Sequence, residues 1–127
     1  MKNKKTKKTN KFIISGLILL IIIAGIIYYI KVSNSMNNNT IDNLAKCLAN
    51  NGVKMYGTYW CPHCQDQKAM FGDSGKILID LGIYVECTED KAQCDKAGIE
   101  GYPTWVIGNQ QYPGVKSLDQ LKQLGGC

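Results

Sequence analysis

From Phe12 to Ile30 the chain carries 19 consecutive residues without a charge. As a helix this run measures about 28 Å at ~1.5 Å per residue, close to the ~30 Å hydrocarbon thickness of a bilayer. A helix pairs its own backbone groups, as lipid demands. A core helix of a globular domain would keep a polar face, and this run has none. Tyr28 and Tyr29 stand at its outer end, where an amphipathic ring suits the membrane interface. The apolar core of a cleavable signal peptide is shorter, about 7–15 residues, so the run reads as an uncleaved signal-anchor; Ser33-Asn34-Ser35 is only a weak cleavage site.

Charge is distributed to match. Lys2, Lys4, Lys5, Lys7, Lys8 and Lys11 precede the run, and no acid does. Positive flanks are retained in the cytoplasm, so the expected location is the cell membrane, single-pass, with the N-terminus cytoplasmic and the rest extracytoplasmic. Residues 31–127 carry nine lysines against ten acids, so the formal +5 of the whole chain belongs to the tail. There is no arginine. A nucleic-acid surface needs its positive charge on the folded body, with Arg for bidentate contacts, so that class of partner is excluded. The chain divides into a lysine-rich tail (1–11), a transmembrane signal-anchor (12–30), a polar Asn-rich linker (31–39) and a domain of 88 residues (40–127). All six cysteines lie in the last part, which fits an oxidising compartment.

Periodicity in 40–127 predicts an α/β domain. Thr40 caps a helix with Ile41, Leu44, Cys47 and Leu48 on one face, ending at Asn51-Gly52. Val53 to Tyr59 alternates as a strand, and Pro62 opens a helix that runs through Phe71 to Gly72. Lys76 to Leu81 is a helical turn or short helix, Ile83 to Cys87 a strand, and Asp90 to Ala97 a short helix stopped by Gly98. Thr104 to Ile107 and Gln111 to Pro113 form a hairpin about Gly108-Asn109, and Ser117 caps a last helix. The order helix, βαβ, helix, ββα requires a parallel pair and a hairpin to share one mixed sheet flanked by helices. Met55, Tyr56, Met70 and Phe71 are expected in the core, and Asp66 and Lys68 on the solvated face of their helix, with Lys68 a minor candidate for tuning a thiol.

The chemical centre is Trp60-Cys61-Pro62-His63-Cys64, between a strand and a helix. A C-x-x-C at a helix start sets its first sulfur against unpaired N–H groups and the positive end of the helix dipole. That favours a thiolate at Cys61, with Pro62 and His63 as tuning residues, and makes Cys61 a good attacking and leaving sulfur. Cys64, one turn on, can close a disulfide with it. The other reading is half of a zinc site, but Cys87 and Cys94 are spaced unlike a second ligand pair, so no metal is expected. A purely structural bridge at this place would be strained, exposed and easily reduced.

Leu44-Ala45-Lys46-Cys47-Leu48, the stretch Met55 to Cys64, Gln67-Lys68, Phe71-Gly72, Tyr84-Val85-Glu86-Cys87, Gly101-Tyr102-Pro103-Thr104-Trp105 and the final Gly126-Cys127 resemble the thioredoxin-like domain attached to, or partnered with, vitamin K epoxide reductase homologues. The resemblance covers residues 41–127. It implies a thioredoxin-like fold, with Cys61 and Cys64 as the exchanging pair. It implies a cis peptide at Pro103, a proline class in which cis bonds concentrate, and a docking surface of Trp60, Tyr102 and Pro103. It implies a thiol–disulfide oxidoreductase that oxidises protein thiol substrates, binds no cofactor, and is reoxidised by a membrane enzyme passing electrons to a quinone. This chain has one hydrophobic span and lacks the multi-helix quinone domain, so that partner would act in trans. Six cysteines allow fifteen pairings; the resemblance and position point to structural bridges Cys87–Cys94 and Cys47–Cys127. Two alternatives stand beside this reading: a disulfide reductase, for example in cytochrome maturation, and a non-catalytic thioredoxin-fold module that binds a partner or carries a metal.

Overall fold

The structure, a computed structural model, describes residues 6–127. Lys2, Lys4 and Lys5 lie outside the described residues. The chain separates into two units, Met1–Asn37 and Asn38–Cys127. Helix α1 is assigned over Thr6–Asn50. In the first unit its side chains from Phe12 to Ser35 are exposed, and by length and composition it can cross a membrane. The helical assignment continues through 31–39, where the sequence predicts a tether, and Thr40 is not a helix start. The physical reason is the absence of any Gly or Pro between Lys31 and Asn50; Asn and Ser weaken a helix without stopping it.

In the second unit Ala45 and Leu48 of α1 are fully buried. The helix stops because Gly52 adopts φ 70°. Its N–H donates to Ala49 and that of Val53 to Leu48, each at 3.0 Å, the bond pair of a Schellman motif. Val53 then leads into β1, Lys54–Gly57. Helix α2 spans Pro62–Ala69, a 3₁₀ turn Asp73–Gly75, and α3 Lys76–Asp80. Gly82 repeats the stop (φ 64°), with Ile83 donating back to Leu78, and β2 follows at Tyr84–Glu86. Helix α4, Lys91–Lys96, is capped by Asp90, whose side chain accepts from the Gln93 N–H. Strands β3 (Thr104–Ile107) and β4 (Gln110–Pro113) and helix α5 (Leu118–Leu124) complete the unit.

The four strands make one mixed sheet in the order β2-β1-β3-β4. Strand β1 pairs with β2 in parallel and with β3 antiparallel, and β3 pairs with β4 as a hairpin. The register sets Met55 opposite both Tyr84 and Trp105. A larger core gathers Met55, Trp105, Leu48, Phe71, Leu78, Ile83 and Leu121 with the two C-x-x-C cysteines. A smaller one gathers Tyr56, Val85, Cys87 and Cys94. Met70 departs from expectation: α2 ends at Ala69, which leaves Met70 at its cap, 38% exposed. The architecture is α/β and thioredoxin-like.

Candidate active site

Strand β1 delivers the chain to the site, and Gly57 is where backbone and side chains come closest. A Cβ built there would lie 2.9 Å from Cys64 Sγ and 3.0 Å from a ring carbon of Tyr84. Glycine is what admits the buried cysteine against the strand. The Thr58 carbonyl then accepts from the Cys61 N–H at 3.2 Å, turning the chain into α2. Pro62 begins the helix at a position where a missing N–H costs nothing. Cys61 is the N-cap, with φ −79° and ψ 116°, and its Sγ accepts from the Cys64 N–H at 3.3 Å. A sulfur thus occupies the place that a serine or aspartate oxygen takes in other helices.

Both thiols are free and both are buried, Cys64 completely and Cys61 at 5% exposure, so the pair is less exposed than its place at a helix start predicts. Burial, followed by its hydrogen bond to Cys61, pushes the Cys64 thiol up to about 12. Its neighbour on the sheet is a polar cluster. Tyr84 donates its hydroxyl to Glu86 at 2.7 Å, and Glu86 also accepts from the Thr88 hydroxyl at 2.7 Å. Burial alone would raise the Glu86 carboxyl; the hydrogen bonds from Thr88 and Tyr84 outweigh it and hold the group low. Burial and the bond to Glu86 raise the Tyr84 phenol. Lys68 places its ammonium 4.6 Å above the Tyr84 ring, so it is half-buried rather than wholly solvated.

His63 and Pro62 lie at the exposed helix start, and the His63 Nδ1 stands 3.7 Å from Asp66 Oδ2. Trp60 is 58% exposed and meets Tyr102 edge to face, ring centroids 6.4 Å apart. The Tyr102–Pro103 peptide is cis, and the Pro103 carbonyl accepts from the Gly114 N–H at 2.8 Å. Because β1 and β3 are antiparallel, the end of β1 that leads to Cys61 and the start of β3 after Pro103 share one edge of the domain. Cys47 is joined to Cys127 and Cys87 to Cys94. Cys87 and Cys94 are therefore bonded to each other and are not free thiolate ligands for a metal.

Three residues of this neighbourhood, although they stand in the stretches that carry the resemblance, receive no role from the sequence. Gly57 carries no chemistry, and Tyr84 and Gln67 look like ordinary strand and helix residues. The alternation that puts Met55, Gly57 and Tyr84 on one face was the available signal for the first two.

No family model matches the chain. Among curated proteins it is 40% identical over 91 residues to the thiol-disulfide oxidoreductase LTO1 of Arabidopsis thaliana, covering 65% of this chain and 23% of that protein. It is 33% identical over 101 residues to the protein disulfide-isomerase-like protein EhSep2 of Emiliania huxleyi, covering 66% and 44%. It is 32% identical over 73 residues to protein disulfide-isomerase 5-1 of Arabidopsis thaliana, covering 50% and 49%. The chain spans less than half the length of each. Sheet topology, the cysteine pair at the start of α2 and these similarities support a thioredoxin-superfamily domain.

Proposed function

We propose that this chain is a membrane-anchored thiol–disulfide oxidoreductase. In this reading it oxidises the thiols of exported proteins, and a vitamin K epoxide reductase-like membrane enzyme reoxidises it in trans. One observation carries the reading: Cys61 and Cys64 are free at the start of α2, with the Cys64 N–H directed at Cys61 Sγ, while the other four cysteines are tied in bridges. The similarity to proteins named for thiol–disulfide chemistry agrees with it.

The reaction starts from the Cys61–Cys64 disulfide. A substrate thiolate attacks Cys61 Sγ, the intramolecular S–S bond breaks, and Cys64 leaves and takes up a proton. The raised pKa of Cys64 makes it a slow leaving sulfur as an anion, and burial favours the neutral thiol that forms when it takes up the proton. A second substrate thiolate then attacks the substrate sulfur of the mixed disulfide and releases Cys61. The substrate loses two electrons and two protons, and the C-x-x-C pair is left reduced. N–H groups of the first turn of α2 stabilise the departing Cys61 sulfur. Trp60 and Tyr102 form the accessible part of the docking surface, and Pro103, whose side chain is buried, backs it from within. Residues 12–30 anchor the chain, and the lysines of the tail hold the N-terminus in the cytoplasm.

The test is oxidation of a reduced, unfolded test protein by the full chain in detergent, with glutathione disulfide as terminal oxidant. Cys61→Ser is expected to reduce the rate to background; a variant as fast as the wild type overturns the reading. The redox potential gives the direction: a value near about −270 mV, that of thioredoxin, would make the chain a reductase.

A further inference from the structure

Gln67 stands one turn after Cys64 on the buried side of α2, and it is fully inaccessible to solvent. A primary amide offers two donors and two acceptor sites, and leaving any of them unpaired in a core is costly. Here all four are engaged. Oε1 accepts from the Trp105 indole N–H at 3.0 Å and from the Lys116 backbone N–H at 2.6 Å. Nε2 donates to the Lys116 carbonyl at 2.9 Å and to Met70 Sδ at 3.5 Å.

Two of these partners, Trp105 and Lys116, lie on segments connected to Pro103. Trp105 follows it by two residues on β3. Lys116 follows Gly114 by two residues, and Gly114 donates to the Pro103 carbonyl. One side chain therefore ties the helix bearing Cys61 and Cys64 to both segments that hold Pro103. Apolar contacts at this place would let helix and strand slide; directional bonds from one amide to two elements fix their separation.

We propose that Gln67 is a positioning residue that sets the gap between Cys61 and the Tyr102–Pro103 segment, and so the fit of a substrate strand lying across that gap. The inference rests on the exchange function proposed above.

The experiment compares wild type with Gln67→Met, which keeps the size of the side chain and removes its bonds. The full chain oxidises a reduced dithiol peptide with glutathione disulfide as terminal oxidant. KM, kcat, melting temperature and the alkylation rate of Cys61 by iodoacetamide are read together. The expected result is a KM raised about tenfold with kcat within about twofold, the signature of lost uniform binding. Iodoacetamide, which needs no docking surface, should react with Cys61 at the wild-type rate. An unchanged KM overturns the proposal even if the melting temperature falls, because the amide would then serve stability alone. A loss of alkylation alongside the rise in KM overturns it too, since the site itself would have collapsed. Should Gln67→Met fail to fold, Trp105→Phe removes a single donor to Oε1; KM is then expected to rise about threefold, and an unmoved KM overturns the proposal. A wild-type chain that cannot oxidise the peptide sinks the exchange reading and this inference with it, whereas an active wild type with an unmoved variant sinks this inference alone.

Discussion

Cys61 and Cys64 are one helical turn apart and both are buried, Cys61 at 5% exposure and Cys64 at 0%. Cys61 caps the helix at the domain edge, and Cys64 is sealed against Gly57 and Tyr84. The Cys64 thiol ordinarily ionises near 9.0, and burial with the Cys61 hydrogen bond moves it to about 12. The consequence for stability has a definite sign. Below 9.0 the thiol is neutral in both folded and unfolded chains, and its contribution is fully present. Between 9.0 and about 12 the unfolded chain releases a proton that the folded chain keeps, so stability of the reduced protein falls as pH rises. Urea unfolding of the reduced protein across that window should show a steeper decline for wild type than for Cys64→Ala. Equal slopes would refute the burial argument. The C-x-x-C itself was legible because its chemistry is written within four residues. The wall behind Cys64 was not, because Tyr84 reaches it from a parallel strand some 20 positions further along.

At the scale of elements, most boundaries were set by residues adjacent to them. The helix stops at Gly52, Gly82, Gly98 and Gly126 share one pattern: the next residue, Val53, Ile83, Ile99 or Cys127, donates back across five residues. Helix α5 begins on a capping box, in which the Ser117 hydroxyl accepts from the Gln120 N–H and the Gln120 side chain accepts from the Ser117 N–H. Ser117→Ala should therefore lower stability by about 1 kcal/mol in chemical denaturation. It should leave the exchange rate unchanged, since α5 contributes no residue to the Cys61 edge. Local signals failed where nothing local competes: 31–39 has no period, and with no Gly or Pro the helix runs through it.

For the molecule as a whole, the Cys47–Cys127 bridge joins α1 to the last residue of the chain across 80 positions. In the chain-entropy model such a loop contributes about 4–5 kcal/mol, a large share of the stability of a small domain. Cys127→Ser should lower the melting temperature while exchange at Cys61 persists at a temperature where the variant is folded. A variant as stable as wild type but inactive would assign the bridge to catalysis instead. What the amino-acid order determined unaided was whatever depends on neighbours: the apolar run, the glycine stops, the Ser117 cap, the hairpin turn and the thiol pair at a helix start, though not the Thr40 cap. Spacing along a helix or strand translates directly into a face, so these need no knowledge of the rest of the chain. Tertiary structure alone decided which faces meet. Gln67 finds Trp105 across 38 residues and Lys116 across 49, and Gly57 matters only because Cys64 and Tyr84 converge on it. A buried amide and a missing Cβ acquire meaning from the partners that folding brings to them, and no local period encodes those partners.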